Sequence, residues 1–267
     1  MIARPFGATG CEVSVIGQGT WRMGESRRET ARDAEALRLG IELGLTHIDT
    51  AEMYGDGSAE SVVGEAIRGR RERVWVTTKV WPSHASYAGT LKACEASLRR
   101  LGTDYADLYL LHWPGPHPIA ETMRAMAELA RLGLARFVGV SNFDVGQMRE
   151  AQTALGGVPL ACNQVPYHFG NRAVEAEVIP WCEARGIAVV GYSPLSGIGG
   201  RRSVVARIAE RHGRTPRQVA LNFLTRRAHL FTIPKASDPA HVRENAAALD
   251  FTLTAKEIQA LERGADE

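Results

Sequence analysis

Eight short apolar runs recur along this chain, roughly one per thirty-residue βα unit, with helical periodicity between them. The runs predict strands over 14–17, 46–49, 74–79, 106–112, 136–141, 160–165, 188–192 and 230–233. The helical patterns include 30–43, 90–100, 120–132, 144–154 and 174–184. Gly44, Gly102, Gly133 and Gly186 stand where such helices end, the position at which a left-handed C-cap favours glycine. Thr215-Pro216-Arg217-Gln218 reads as an N-cap, a proline in the first turn and a glutamine completing a capping box. Apolar strands that alternate with helices form a parallel sheet covered on its outer face. No Pro/Gly/Ser linker or composition break interrupts the eight. The expected fold class is therefore α/β, a closed (β/α)8 TIM barrel, with one domain over 1–267. Phe6-Gly7-Ala8-Thr9-Gly10 is expected to turn an N-terminal β-hairpin that covers the barrel bottom.

Composition removes several functions from consideration. The 32 Lys and Arg against 30 Asp and Glu leave a net charge of +2, and no basic stripe interleaves with aromatics, so nucleic acid is not an expected partner. The start Met1-Ile-Ala-Arg-Pro lacks the apolar core of a signal peptide, and no apolar run is long enough for a bilayer; a cytoplasmic location is expected. Cys11, Cys94, Cys162 and Cys182 form no CxxC pair and no metal-ligand spacing. They read as small thiols in a reducing compartment, and no metal is expected. Nothing demands more than a monomer.

The strand ends carry the chemistry. In a barrel of this kind the C-terminal ends of the strands face the mouth. Asp49, Lys79 and His112 each close a predicted strand, and Tyr54 follows Asp49 in the adjoining loop. A phenol with a pKa of about 10 is a weak acid at neutral pH, and a nearby ammonium lowers that value. A carboxylate beside the ammonium holds it charged, and an imidazole can donate a hydrogen bond to a carbonyl oxygen as negative charge builds there. Tyr54 is then the expected general acid. Only four of the basic residues are lysines, and two of them, Lys79 and Lys235, fall at expected mouth positions.

These segments resemble the aldo-keto reductase superfamily. The resemblance rests on Asp49-Thr-Ala-Glu-Met-Tyr54-Gly, Thr-Thr-Lys79, Leu110-Leu-His112-Trp-Pro, Gly139-Val-Ser-Asn142, Asn163-Gln164-Val, Gly191-Tyr192-Ser-Pro-Leu195 and Ile233-Pro-Lys235. It runs from about residue 4 to 262 and leans toward short-loop bacterial members similar to 2,5-diketo-D-gluconate reductase. It implies NADPH-dependent reduction of small-molecule aldehydes and ketones, with Asp49, Tyr54, Lys79 and His112 as the catalytic tetrad.

The cofactor cleft has its own signals. Gly17-Gln-Gly19-Thr-Trp-Arg22 starts like a dinucleotide fingerprint but lacks its third glycine, so a nicotinamide nucleotide must lie across the barrel mouth instead. Ser141, Asn142 and Gln164 are suited to a carboxamide, and Tyr192 to stacking on a nicotinamide ring. The resemblance assigns the same roles, adds Gly19, Thr20, Trp21 and Asp49 near the cofactor, and puts Ser193 and Leu195 along the pyrophosphate. The glycine-rich 196–202 loop, with Arg202, reads either as a diphosphate cradle or as a solvated loop. Lys235 and 238–245 resemble the adenosine end, where Glu244 and Asn245 match adenine-binding positions. Many NADPH-using relatives have a serine after the lysine and an arginine six residues beyond it; this chain has Ala236 and His241. NADPH remains the expected cofactor, with Arg243 or Arg202 assisting Lys235, and NADH use is also expected because a bidentate partner is lost. Trp21, Met53, Tyr54, Trp81, His112 and Trp113 are expected to wall the substrate pocket, and short loops imply an open site for small aldehydes, dicarbonyls or keto acids.

Overall fold

The computed structural model describes residues 2–26, 28–200 and 203–264. A two-stranded antiparallel hairpin, β1 (Ala3–Pro5) and β2 (Glu12–Ser14), opens the chain. Eight parallel strands follow: β3 (Gln18–Gly19), β4 (His47–Asp49), β5 (Trp75–Val80), β6 (Ala106–Leu111), β7 (Ala135–Ser141), β8 (Leu160–Pro166), β9 (Ala188–Tyr192) and β10 (Leu230–Thr232). They pair in chain order, and parallel bridges Ile16–Thr232 and Gly19–Lys235 join the two edges. The sheet is thereby closed into a (β/α)8 barrel.

Among the described residues ten α-helices alternate with or follow the strands: α1 (Thr30–Glu42), α2 (Ser58–Ile67), α3 (Tyr87–Leu101), α4 (Ile119–Arg131), α5 (Val145–Ala154), α6 (Val178–Glu183), α7 (Val204–His212), α8 (Pro216–Leu224), α9 (Pro239–Ala246) and α10 (Ala255–Arg263). Local chemistry sets several of their starts. Capping boxes join Asp144 to Gln147, Thr215 to Gln218 and Thr254 to Glu257. Among the described residues, no helix is long and apolar enough to cross a membrane.

Most boundaries shift by one to three residues, and two elements differ by more than such a shift. The expected strand over 14–17 is displaced: Ser14 belongs to the hairpin, pairing with Ala3, and the barrel strand begins at Gln18. The chain switches sheets here, because Ser14 Oγ accepts the His47 N–H at 2.9 Å while Gly17 donates its N–H to Thr232 O at 2.7 Å. Gly17 also passes so close to β4 that an added Cβ would lie 2.7 Å from His47 O. The expected helix over 174–184 shortens to α6, preceded by a 3-10 turn at Ala173–Glu175. Pro180 explains the late start, since a longer helix would place its missing N–H in the interior.

The hairpin seals the barrel bottom. Phe6 is fully buried, with its ring centroid 5.0 Å from Trp75, 4.9 Å from Phe231 and 6.1 Å from His47. Beside it the buried Asp107 carboxylate receives Arg71 at 2.7 Å and Arg136 at 2.8 Å. A closed lower end leaves the mouth as the route to the interior. Replacing Phe6 by Ala removes the plug and is expected to lower unfolding free energy by about 3–5 kcal/mol, read by urea denaturation.

Candidate active site

The parallel register brings the ends of β3, β4, β5, β6, β7, β8 and β9 to one rim. There a cavity of about 390 Å³ is lined by Gly19, Thr20, Trp21, Asp49, Met53, Tyr54, His112, Trp113, Ser141, Asn142, Gln164, Tyr192, Ser193, Pro194, Ile233 and Lys235. Pro194 and Ile233 belong to the motifs Gly191-Tyr192-Ser-Pro-Leu195 and Ile233-Pro-Lys235, but sequence alone assigns them no role in the cleft. Lys79 lies fully buried at the base, reached through its partners.

Those partners account for all three of its donors. Lys79 Nζ donates to Asp49 Oδ1 at 2.6 Å, to Thr50 O at 2.8 Å and to Tyr54 Oη at 3.5 Å. The second Asp49 oxygen accepts Gln164 Nε2 at 2.6 Å. Burial lowers the affinity of Lys79 for its proton, but Asp49 and Tyr54 outweigh it, and the ammonium titrates above its ordinary value.

Tyr54 accepts from Lys79, so its own O–H proton remains free to be donated elsewhere. Its ring meets Trp21 edge-on at 5.0 Å and His112 at 5.6 Å. Burial raises the phenol above its ordinary value; Lys79 opposes the rise but does not reverse it. This corrects the expectation of a lowered phenol: desolvation disfavours the phenolate more than one ammonium, itself neutralised by Asp49, favours it.

His112 is held neutral. Burial, assisted by the positive Lys79, lowers its pKa to about 2. Its Nδ1 is buried without a hydrogen-bond partner, so a proton there would be an unsatisfied donor, and the Nε2–H tautomer follows. Asn142 Nδ2 donates to His112 O and to Ser141 Oγ, both at 3.0 Å, while Asn142 Oδ1 accepts Tyr192 Oη–H at 2.9 Å. Asn142 holds φ 63° and Ser193 φ 54°, left-handed backbone that the surrounding bonds must over-determine.

The other sequence candidates are placed less centrally. Trp81, Leu195, Glu244 and Asn245 do not line the cavity. Trp81 packs against His84 at 5.7 Å, and Leu195 against the buried core around Val190. Glu244 pairs with Arg217 at 3.8 Å on the outer rim, and Asn245 is buried with Oδ1 unpartnered. Ala236 is half-buried, and Lys235, His241 and Arg243 are exposed. Arg202 lies outside the described residues. Burial pushes the thiols of Cys94 and Cys182 up to about 12 and that of Cys162 well above its ordinary value, which makes all three inert. Among the described residues no cluster of ligating side chains suits a metal ion.

A family model described as the Aldo/keto reductase family matches residues 15–265. The chain is 47% identical to methylglyoxal reductase YeaE of Escherichia coli over 93% of its length and 89% of that protein's. It is 37% identical to a 9,11-endoperoxide prostaglandin H2 reductase of Trypanosoma cruzi, over 92% of this chain and 86% of the relative. The crystal structure of an aldo/keto reductase from Klebsiella pneumoniae, in complex with NADP and acetate, superposes with a TM-score of 0.91 at 43% identity, covering 97% of this chain and 94% of the other.

The two buried neutral histidines set a pH dependence. His47 and His112 have ordinary values of 6.5 lowered to about 3 and about 2. Below pH 6.5 the unfolded chain binds protons that the folded one refuses, so stability is present above that pH and falls as pH drops. At pH 5 each histidine accounts for about 2 kcal/mol of that loss. The fall in urea-derived stability between pH 7 and 5 is therefore expected to be smaller by about 2 kcal/mol in His47→Gln than in the wild type.

Proposed function

Since the chain belongs to the aldo/keto reductase family, we propose that it reduces small carbonyl compounds to alcohols with NADPH, methylglyoxal and related α-dicarbonyls being the leading substrates. The observation that carries this reading is the Tyr54 oxygen, which accepts from Lys79 and so leaves its proton free for a substrate. The name of the Escherichia coli relative supports the substrate class, and the NADP bound in the Klebsiella structure supports the cofactor.

The residues present fit that cofactor. Gln164 spends an amide N–H on Asp49, leaving Oε1 as an acceptor, and Asn142 and Ser141 line the same cavity. Together they offer acceptors and a hydroxyl to a carboxamide, and the half-buried Tyr192 offers an aromatic face. The buried, unpartnered Asn245 Oδ1 is an acceptor suited to an adenine amino group. Lys235, with Arg243 nearby on α9, supplies positive charge for a 2′-phosphate. Ala236 and His241 offer no bidentate clamp, so NADH is a usable but poorer substitute.

When bound, NADPH supplies a hydride to the carbonyl carbon. His112, neutral and protonated on Nε2, donates a hydrogen bond to the carbonyl oxygen and fixes its orientation. Tyr54 transfers its proton to that oxygen, and Lys79 stabilises the phenolate left behind, its own charge held by Asp49. Trp21, Met53 and Trp113 give the substrate an apolar surround. The cavity must also admit the nicotinamide, so the remaining room suits substrates of a few carbons, small keto acids included. The protein acts in this reading as a soluble cytoplasmic monomer, residues 1–267 forming one domain.

Oxidation of NADPH followed by absorbance, with methylglyoxal as substrate, tests the proposal. Tyr54→Phe is expected to lose at least about a hundredfold in kcat while the NADPH Kd stays near wild type, and wild-type turnover in that variant would remove Tyr54 from the mechanism. The wild-type kcat for reduction is expected to stay flat from pH 6 to 9 and fall only at higher pH, because the raised phenol remains protonated and His112 remains neutral throughout. kcat/KM is expected to be higher with NADPH than with NADH; equality or reversal would refute the preference.

A further inference from the structure

We infer that Glu52 is a positioning residue for the reaction, setting the Tyr54 loop against the end of β5 by replacing a backbone carbonyl with its carboxylate. The inference rests on Tyr54 being the proton donor. It starts from how the β4 and β5 chains part. Their register pairs Asp49 with Thr77, and beyond it Thr50 N–H donates to Thr77 O at 2.9 Å and Glu52 N–H to Lys79 O at 3.3 Å. The chain then turns: Tyr54 N–H donates back to Ala51 O at 3.1 Å, and Gly55 and Asp56 take left-handed backbone at φ 56° and 53°.

At that turn the main chain of β4 leaves the ladder while β5 still continues. The next β5-side donor is the Trp81 N–H, and its acceptor is Glu52 Oε1 at 2.5 Å. The side chain of Glu52 therefore extends the sheet one rung past the point where its backbone departs. The Glu52 side chain is only 9% exposed, so this charge-assisted bond is shielded from water. His84 Nδ1 also faces it at 3.3 Å, but its side chain is 53% exposed and contributes little as an ion pair; the buried Tyr109 phenol feels the Glu52 charge as well.

The consequence falls on Tyr54, two residues beyond. Its ring is located by Trp21 and His112, while its backbone is held after the left-handed turn by the Ser58 N–H, which donates to Tyr54 O, and before it by the Glu52 attachment to β5. Losing the Trp81–Glu52 bond frees both the Trp81–His84 segment and the approach to Tyr54. A donor displaced by about 1 Å from the oxygen it protonates loses rate on the order of a hundredfold. The phenol hydroxyl and its Lys79 and Asp49 partners are untouched, so cofactor affinity has no reason to change.

The test compares Glu52→Ala, Glu52→Gln and Tyr54→Phe with wild type, measuring kcat and KM for methylglyoxal with NADPH, NADPH Kd by tryptophan fluorescence, and urea unfolding. Glu52→Ala is expected to lower kcat roughly ten- to a hundredfold with little change in KM, and to leave the NADPH Kd within about twofold. Glu52→Gln keeps an oxygen for the Trp81 N–H and is expected to recover kcat to within about threefold of wild type. A Glu52→Ala enzyme that loses unfolding stability yet keeps wild-type kcat overturns the inference, as does a Glu52→Gln enzyme as impaired as Glu52→Ala. Near-wild-type turnover in Tyr54→Phe defeats the underlying proton-donor reading instead, whatever Glu52 does. An inactive Tyr54→Phe beside an unimpaired Glu52→Ala defeats the Glu52 inference alone.

Discussion

The ion pair between Lys79 and Asp49 is the contact on which the mouth of this barrel is organised. Both side chains are almost wholly buried, at 0% and 2% exposure. An unpaired charge at that depth costs about 3–5 kcal/mol, so each holds the other in place. Every remaining hydrogen-bonding group on the pair is then committed outward. Asp49 reaches across to Gln164 on β8, and Lys79 reaches Thr50 and Tyr54. Two charges at the floor thus fix the Gln164 amide on one side and the Tyr54 phenol on the other.

The same burial explains why Tyr54 stays protonated and His112 stays neutral. Desolvation disfavours any new charge near the floor. It keeps Tyr54 protonated against the pull of Lys79, and it keeps His112 neutral with help from Lys79. A single cation therefore acts in opposite senses on its two neighbours, favouring phenolate while disfavouring imidazolium. For carbonyl reduction this division is useful, because the phenol must carry a proton and the imidazole must donate a hydrogen bond without surrendering charge.

Strain is confined to the rim. Among the described residues the four non-glycine positions with positive φ are Arg22, Asp56, Asn142 and Ser193, each in a segment that follows a barrel strand toward the mouth. The strands beneath them are regular apart from one register shift between Val138 and Val140. The barrel wall is set by apolar packing, while the loops accept unfavourable backbone in order to aim polar groups, as functional sites commonly do. Glu52 belongs to the same pattern, as a side chain that continues a ladder where the backbone has turned away.

Much of this was legible in the amino-acid order because its causes are local. Strand and helix periodicity, the Thr215–Gln218 capping box and the glycine C-caps depend on neighbours within a few residues, and the alternation they spell admits few folds. The clustering of Asp49, Tyr54, Lys79 and His112 was legible because parallel strands bring their C-terminal ends to one rim wherever they lie in sequence. What only the tertiary structure decided depends on contacts far apart in the chain. Ser14 went to the hairpin because a β4 N–H claimed its hydroxyl. Trp81 and Leu195 stand outside the cavity because loop paths are not periodic and leave no signature in sequence, and Glu244 and Asn245 do because they are carried on α9, away from the cavity. The sign of the Tyr54 shift, and the discovery that Glu52 caps the ladder at Trp81, both needed burial and direction. Those are properties of the closed barrel, and no residue carries them alone.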